Sequence, residues 1–394
     1  MKAVGIVAEY NPFHNGHAYQ IAQAKKVTKA DAAVIVMSGN FVQRGLPAVF
    51  DKWQRTRLAL VGGADLVYEL PFAMAVQPAH LFARGAVELL VSAGVTSIAF
   101  GAEHAQLDFL ALARMARQTL NQNDAFKSDY TQTYATVFNN VLAEVTGQRL
   151  SAPNDLLGFA YAMAVLDLGY DDKVQLFPIQ RKGASYHQTG ITDKHIASAT
   201  ALRELMGKKS ALSEFSNYAS QPAAQLLTSG DQTKDWDGAW YPFLQYKVLS
   251  TPISQLEQIY QLDDGLAYRL KEQVTRYTRI DYETFMMMFK SKRYTWARLQ
   301  RTNLYTILNI SHDEMMQALQ HPYLRVLGAT KKGRFFIKQI RDQVQLPVIN
   351  RVTHDMVTTG ILQLDYRAGK LYELMAKQPM QQAMDTGRIP VFYE

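Results

Sequence analysis

The sequence predicts an α/β fold in its first part, a parallel sheet covered by helices, followed by a mainly helical C-terminal part. Two observations predict the sheet. Short, near-continuous apolar runs recur about every 30 residues, and helical segments separate them, as in sheets buried on both faces. A third predicts the division. Beyond about residue 205 the strand-like runs fade and helical periodicity takes over. A chain of 394 residues also exceeds the size at which a single core usually stops growing.

The elements follow in order. "KAVGIVAEY" reads as the first strand and "HAYQIAQAKKVTK" as the amphipathic helix after it. "AAVIVMSG" leads through a loop into "DKWQRTRLALVGG", "ADLVYELP" into "AHLFARGAVELLVSAG", and "TSIAFGAE" into "LDFLALARMARQTL". The pattern closes with "KVQLFPIQR" and a helix beginning near Ser198. Gly39, Gly101 and Glu103 then fall just past strand carboxyl ends, where open α/β sheets build their ligand crevice. Residues 211–240 are polar and small, and read as the end of the first domain and a connector. The expected domains are 1–225 and 226–394. In the second, "SQLEQIYQLDDGLAYRLKEQV", "YETFMMMFKSKRYTWARLQRTNLYTILNI" and "HDEMMQALQ" carry helical spacing. "GRFFIKQI" and "LPVINRV" read as strands or buried turns.

There is no cysteine. That removes disulfides, thiol nucleophiles and Cys-ligated zinc, and fits a reducing cytoplasm. No run approaches the ~20 apolar residues of a membrane span, so no membrane partner is expected. The opening residues read as a strand rather than a secretory leader. The net charge of +7 is uneven. Residues 240–394 hold 21 Lys and Arg against 14 Asp and Glu, which is the whole excess. The asymmetry points either to a polyanionic partner for that part or to a plain basic surface.

The clearest chemistry lies in "AEYNPFHNGHAYQIAQAKK". His14 and His17, three residues apart, share one face of a helical turn. At a helix start they stand beside unpaired N–H groups and the positive end of the dipole, which is a ready phosphate site. Two imidazoles there can donate hydrogen bonds to charge growing on a phosphate during in-line displacement. Gly16 leaves room for a phosphate chain close to the backbone. Tyr10 and Phe13 read as packing residues. The alternatives are a zinc pair, for which no third ligand is evident, or two surface histidines.

The strand, "NPFHNGH" and the helix resemble the His-x-Gly-His signature of the adenylyl-transferring superfamily, which includes nucleotidyltransferases and class I aminoacyl-tRNA synthetases. The longer context is more specific. "VAEYNPFHNGHAYQI", "MSGNFVQRGLPA", "DKWQRTRLAL", "ADLVYELPFAMAVQPA", "FGAE", "PNDLLG" and "IASATALR" come in this order. Together they resemble the bacterial tRNA(Met) cytidine acetate ligase family, strongly over residues 1–205 and more diffusely through "KRYTWARLQR" to the end.

That resemblance implies a Rossmann-like nucleotidyltransferase domain followed by a helical tRNA-binding domain. It implies that ATP activates acetate as acetyl-adenylate. The acetyl group would then pass to the N4 amine of the wobble cytidine of elongator tRNA(Met), giving N4-acetylcytidine. His14 and His17 would stabilise charge on the phosphates. The run Val7, Ala8, Glu9, Tyr10, Asn11, Pro12, Phe13, His14, Asn15, Gly16, His17, Ala18, Tyr19 and Gln20 would floor the ATP site. Gly101 would let the nucleotide approach. Asn154 would hydrogen-bond it, or cap its own helix. Arg181 would contact nucleotide or phosphate, or be a solvated arginine. Ser198 and Thr200, with Arg203, resemble a Ser/Thr-rich second phosphate signature, though plain capping explains the hydroxyls equally. Mg²⁺ is expected with the triphosphate, held mainly by phosphates.

Two further segments have open roles. Gln43, Arg44, Asp51 and Lys52 lie in a long loop near the sheet's carboxyl edge, which serves either function or structure. Lys290, Lys292, Arg293, Arg298 and Arg301 surround Tyr294 and Trp296, a mixture that suits RNA phosphates and unpaired bases. Trp296 also fits a core position. Lys331, Lys332 and Arg334 repeat the basic theme. Two competitors remain: an adenylyltransferase acting on a small phosphorylated metabolite, which needs no basic extension, and a non-catalytic RNA-binding protein, which needs no histidine pair.

Overall fold

The computed structural model describes residues 1–122, 143, 147, 152–181, 197–206, 215–228, 236–375 and 383–394. Strands β1 (Ala3–Ala8), β2 (Ala32–Ser38), β3 (Leu66–Leu70), β4 (Ser97–Ala102) and β5 (Gln175–Gln180) form the parallel part of the sheet. β6 (Leu324–Thr330), β7 (Val348–Ile349) and β8 (Val391–Tyr393) complete eight strands in the order β5-β4-β1-β2-β3-β6-β7, with β8 also on β6. β6 runs antiparallel to β3, and β7 and β8 run parallel to β6.

Both faces of the sheet are covered, as continuous apolar strands require. On β2, Ala33, Ile35 and Met37 face one core while Val34 and Val36 face the other. The first face packs α1 (Asn15–Thr28), α2 (Lys52–Val61) and the helices of residues 236–320. The second packs α3 (Ala79–Ser92), the start of the helix Phe109–Gln122 and α4 (Pro153–Asp167). The chain winds β1-β2-β3 in one direction, then returns to place β4 on the other side of β1. The crevice outside the carboxyl ends of β1 and β4 is therefore the topological switch point, where such sheets bind ligands.

A short helix, α5 (Ala199–Met206), precedes the C-terminal part. Beyond residue 236 the helical expectation holds to residue 320, with breaks. "YETFMMMF" ends at Phe289, and α6, Trp296–Ile307, begins after a Thr295 cap. The chain then returns to the sheet. "GRFFIKQI" is neither strand nor turn but most of α7, Lys331–Ile340. Gly333, Phe336 and Ile340 are its buried residues, spaced three and four apart, while Phe335 is exposed. The strand is the preceding run, Leu324–Thr330. Val348–Ile349 in "LPVINRV" is a short strand, as one of its two readings has it. The division expected at 225/226 thus crosses a sheet built from both sides of it. Of the expected connector, residues 211–214 and 229–235 lie outside the described residues, and Gln221–Thr228 is a helix.

Candidate active site

His14 is the cap residue of α1. Its Nδ1 accepts from Gly16 N at 3.1 Å, and His17 Nδ1 accepts from His14 N at 3.3 Å. This is a reciprocal capping box in which two imidazoles replace the usual hydroxyl and carboxylate. Because both Nδ1 atoms accept, each neutral ring carries its proton on Nε2. The rings stack with centroids 3.7 Å apart. Tyr10 meets His17 edge-on at 4.8 Å, and Phe13 lies 5.7 Å away. Burial, then Arg181 and Arg203, pushes the His14 pKa down to about 3. Burial, His14 and Arg181 hold His17 well below the usual histidine range. His17 is half-buried, among aromatic and cationic neighbours. Near neutral pH the pair is two uncharged N–H donors at a helix start.

Two guanidinium groups supply the positive charge. Arg181 follows β5 directly, and its backbone N donates to Ala102 O at 3.0 Å. A Cβ on Gly101 would stand 3.4 Å from Arg181 Cγ, so the arginine lies over that glycine. Arg203, on α5, donates to Asn11 O at 2.7 Å and to Thr200 Oγ1 at 3.0 Å. The Ser/Thr-rich segment is thereby tied to the β1–α1 loop. Ser198 Oγ accepts from Ala201 N at 3.1 Å, the capping contact. Asn11 is buried, and its Oδ1 accepts from Val49 N at 2.8 Å.

A family model described as HIGH Nucleotidyl Transferase matches residues 1–386. The chain belongs to the HIGH nucleotidyl transferase family. Curated relatives called tRNA(Met) cytidine acetate ligase align end to end. That of Leuconostoc mesenteroides is 44% identical over 398 residues, covering 100% of both chains. That of Limosilactobacillus reuteri is 45% identical over 382 residues, covering 97% of each. Two crystal structures of Thermotoga maritima TmcAL, 28% identical, cover 100% of this chain and 99% of theirs. The apo form has a TM-score of 0.87 and the form bound to alpha-thio ATP 0.84.

In this HIGH nucleotidyl transferase the remaining site residues divide by burial. Ala8, Tyr10, Asn11, Pro12 and Phe13 are buried beneath the sheet's carboxyl edge, its crest, while Val7, Glu9, Gly16, Ala18, Tyr19 and Gln20 are half-buried. Asn15 N donates to Tyr218 O at 2.9 Å, which closes the segment after residue 215 over the start of α1. Asn154 is not a cap. The cap residue of α4 is Ala152, and Asn154 Nδ2 donates to Glu103 Oε1 at 2.5 Å. Asp51 caps α2, and Lys52 is fully buried, bonded to Glu69 at 2.8 Å and Asp385 at 2.7 Å. Both therefore make structural contacts. Gln43 N donates to Glu9 Oε1 at 2.9 Å, and Arg44 is exposed.

Reasoning from sequence assigned no role to Arg55 and only a strand-end position to Glu103. Arg55 is fully buried, and its guanidinium donates to the carbonyls of Glu9, Ser38, Gly39 and Phe50. It fixes the chain just beyond β1 and β2. An arginine in a helix pattern reads as solvated, so the signal was absent. The basic segments separate. Gly45 lies against the Arg301 backbone, so the middle of α6 abuts the loop beyond β2. Arg293 and Arg298, one exposed and one partly so, pair with Asp264 and Asp263. Trp296 is exposed at 36% rather than in the core. Lys331, Lys332 and Arg334 follow β6, whose end pairs with the start of β3, at the opposite edge of the sheet.

Proposed function

We propose that this chain activates acetate with ATP and acetylates N4 of the wobble cytidine of elongator tRNA(Met). End-to-end similarity to relatives bearing the name tRNA(Met) cytidine acetate ligase supports the overall reaction. The observation that carries the first step is the pair of neutral Nε2–H donors at the switch point, flanked by Arg181 and Arg203. An acetate oxygen attacks the α-phosphorus, and the bond to the leaving pyrophosphate breaks with its electron pair. Charge rises on the phosphate oxygens. Donors already aimed there stabilise it without reorganising. The cytidine N4 then attacks the acetyl carbon, the bond to AMP breaks, and the nitrogen gives up a proton. An anhydride is needed because the N4 lone pair is delocalised, and a site that excludes water protects it.

Residues 1–225 are the proposed ATP-binding part, and 226–394 the part that chiefly meets tRNA. Among the described residues no group of three His, Cys, Asp or Glu side chains is arranged to hold a metal. A Mg²⁺ would therefore be carried by triphosphate oxygens and water, where it neutralises phosphate charge. No described helix is long and apolar enough to cross a membrane, and the absence of cysteine suits the cytoplasm we assign. The test is incubation with elongator tRNA(Met), ATP and labelled acetate. Label in N4-acetylcytidine, dependent on ATP, supports the proposal. Unlabelled tRNA, with AMP appearing instead on a phosphorylated metabolite, overturns it.

A further inference from the structure

Glu103 binds three elements together at the switch point. Its Oε1 accepts from Asn154 Nδ2 at 2.5 Å and lies 3.9 Å from Arg181 Nε. Its Oε2 accepts from Asp155 N at 3.1 Å, in the first turn of α4, where Ala152 offers no side-chain cap. Asp155 answers, its Oδ1 accepting from Glu103 N at 2.9 Å and His104 N at 3.1 Å. Gln180, at the end of β5, donates to Glu103 O at 2.9 Å.

A carboxylate only accepts hydrogen bonds, so Glu103 decides which way the Asn154 amide faces. The NH₂ group is taken by Glu103. The carbonyl Oδ1 is left over, and among the described residues it has no partner. We propose that Glu103 is a positioning residue that turns Asn154 into an obligate hydrogen-bond acceptor toward the nucleotide, so that the group it meets is a donor. The inference rests on the nucleotide reading of Asn154 and Arg181. Two donors of ATP fit this chemistry, the exocyclic amine of adenine and a ribose hydroxyl. Both are uncharged donors.

The experiment measures ATP affinity by titration calorimetry for the parent, Glu103→Ala, Asn154→Ala and the double variant. It also tests Glu103→Gln, which keeps an oxygen for the first turn of α4 but places an NH₂ against Asn154. Two probes separate the donors: purine riboside triphosphate, which lacks the amine, and 2′- and 3′-deoxy-ATP. Each single variant, including Glu103→Gln, is expected to bind ATP about tenfold more weakly, the worth of one hydrogen bond. The double variant should be no weaker than Asn154→Ala, because Glu103 acts through it. One probe should bind the parent about tenfold worse and Asn154→Ala no worse than ATP does. Losses that multiply in the double variant overturn the inference while leaving both residues on the nucleotide. Parent-like affinity in both Glu103 variants, with Asn154→Ala weakened, also overturns it. If Asn154→Ala itself binds like the parent, the nucleotide reading of that residue fails and takes the inference with it.

Discussion

His14 and His17 hold the helix start with Nδ1 and present Nε2–H, so one variant can separate the two jobs. The amide oxygen of an asparagine at position 14 can occupy the place of Nδ1, and asparagine is itself a good cap. His14→Asn should therefore keep its thermal midpoint within a few degrees while losing about 10²- to 10³-fold in adenylate formation, the cost of removing one charge-stabilising donor. Pyrophosphate exchange and a melting curve on one sample check it. The lowered pKa values make a second prediction. Below pH ~6.5 the unfolded chain takes up protons that the folded rings refuse, so stability falls as pH drops. The His14 share is about 1 kcal/mol per pH unit between pH 6 and 4, and is absent above pH 7. Urea unfolding at pH 7 and pH 5 should show a smaller drop for His14→Asn than for the parent. An equal drop would place the charge elsewhere. The pair itself was legible in the sequence because both members lie in one turn. Its partners Arg181 and Arg203 were found only as isolated candidates, since no spacing relates them to residue 14.

At the scale of elements, the return of the C-terminal chain to the sheet explains several buried charges. Asp385 accepts from Lys52 at 2.7 Å and Arg325 at 2.6 Å, and Glu69 pairs with both cations. Burial raises the Asp385 pKa, but the two cations outweigh it and hold the carboxyl low. Removing one member leaves a buried charge uncompensated. Asp385→Asn should cost about 3–5 kcal/mol in urea unfolding, and a loss under about 1 kcal/mol would mean that the last segment is not anchored there. Gly333 makes a separate test. A Cβ there would fall 1.9 Å from Asp65 O, so Gly333→Ala must push α7 from the start of β3. We expect a loss of about 1–3 kcal/mol. The first four strands were legible as apolar runs about 30 residues apart, and β5 as the run that closes the pattern. β6 was not, because Arg325 interrupts its run and is compensated by Glu69, which lies far earlier in the chain. α7 was misread because its adjacent phenylalanines suggest a strand, although only Phe336 is buried.

For the molecule as a whole, the basic excess is divided between two edges of the sheet. Arg293 precedes α6 and Arg298 lies in its first turn, and the middle of that helix abuts the loop beyond β2, whereas Lys331, Lys332 and Arg334 lie at the opposite edge. We infer that a tRNA whose wobble base reaches the carboxyl ends of β1 and β4 meets the first group more directly. Neutralising Arg293 and Arg298 should weaken tRNA binding and lower the salt slope by about one to two. Neutralising the other three should change it less, and filter binding across a salt series distinguishes them. Sequence showed both clusters as equivalent, since edge and crest are not visible without the antiparallel pairing of β6. The histidine pair is proposed to serve adenylate formation from a small carboxylate. ATP–pyrophosphate exchange, run with a panel of carboxylates, with and without tRNA, tests it most directly. Exchange should require acetate and be lost in His14→Asn. Exchange that is absent with every carboxylate under both conditions would contradict it.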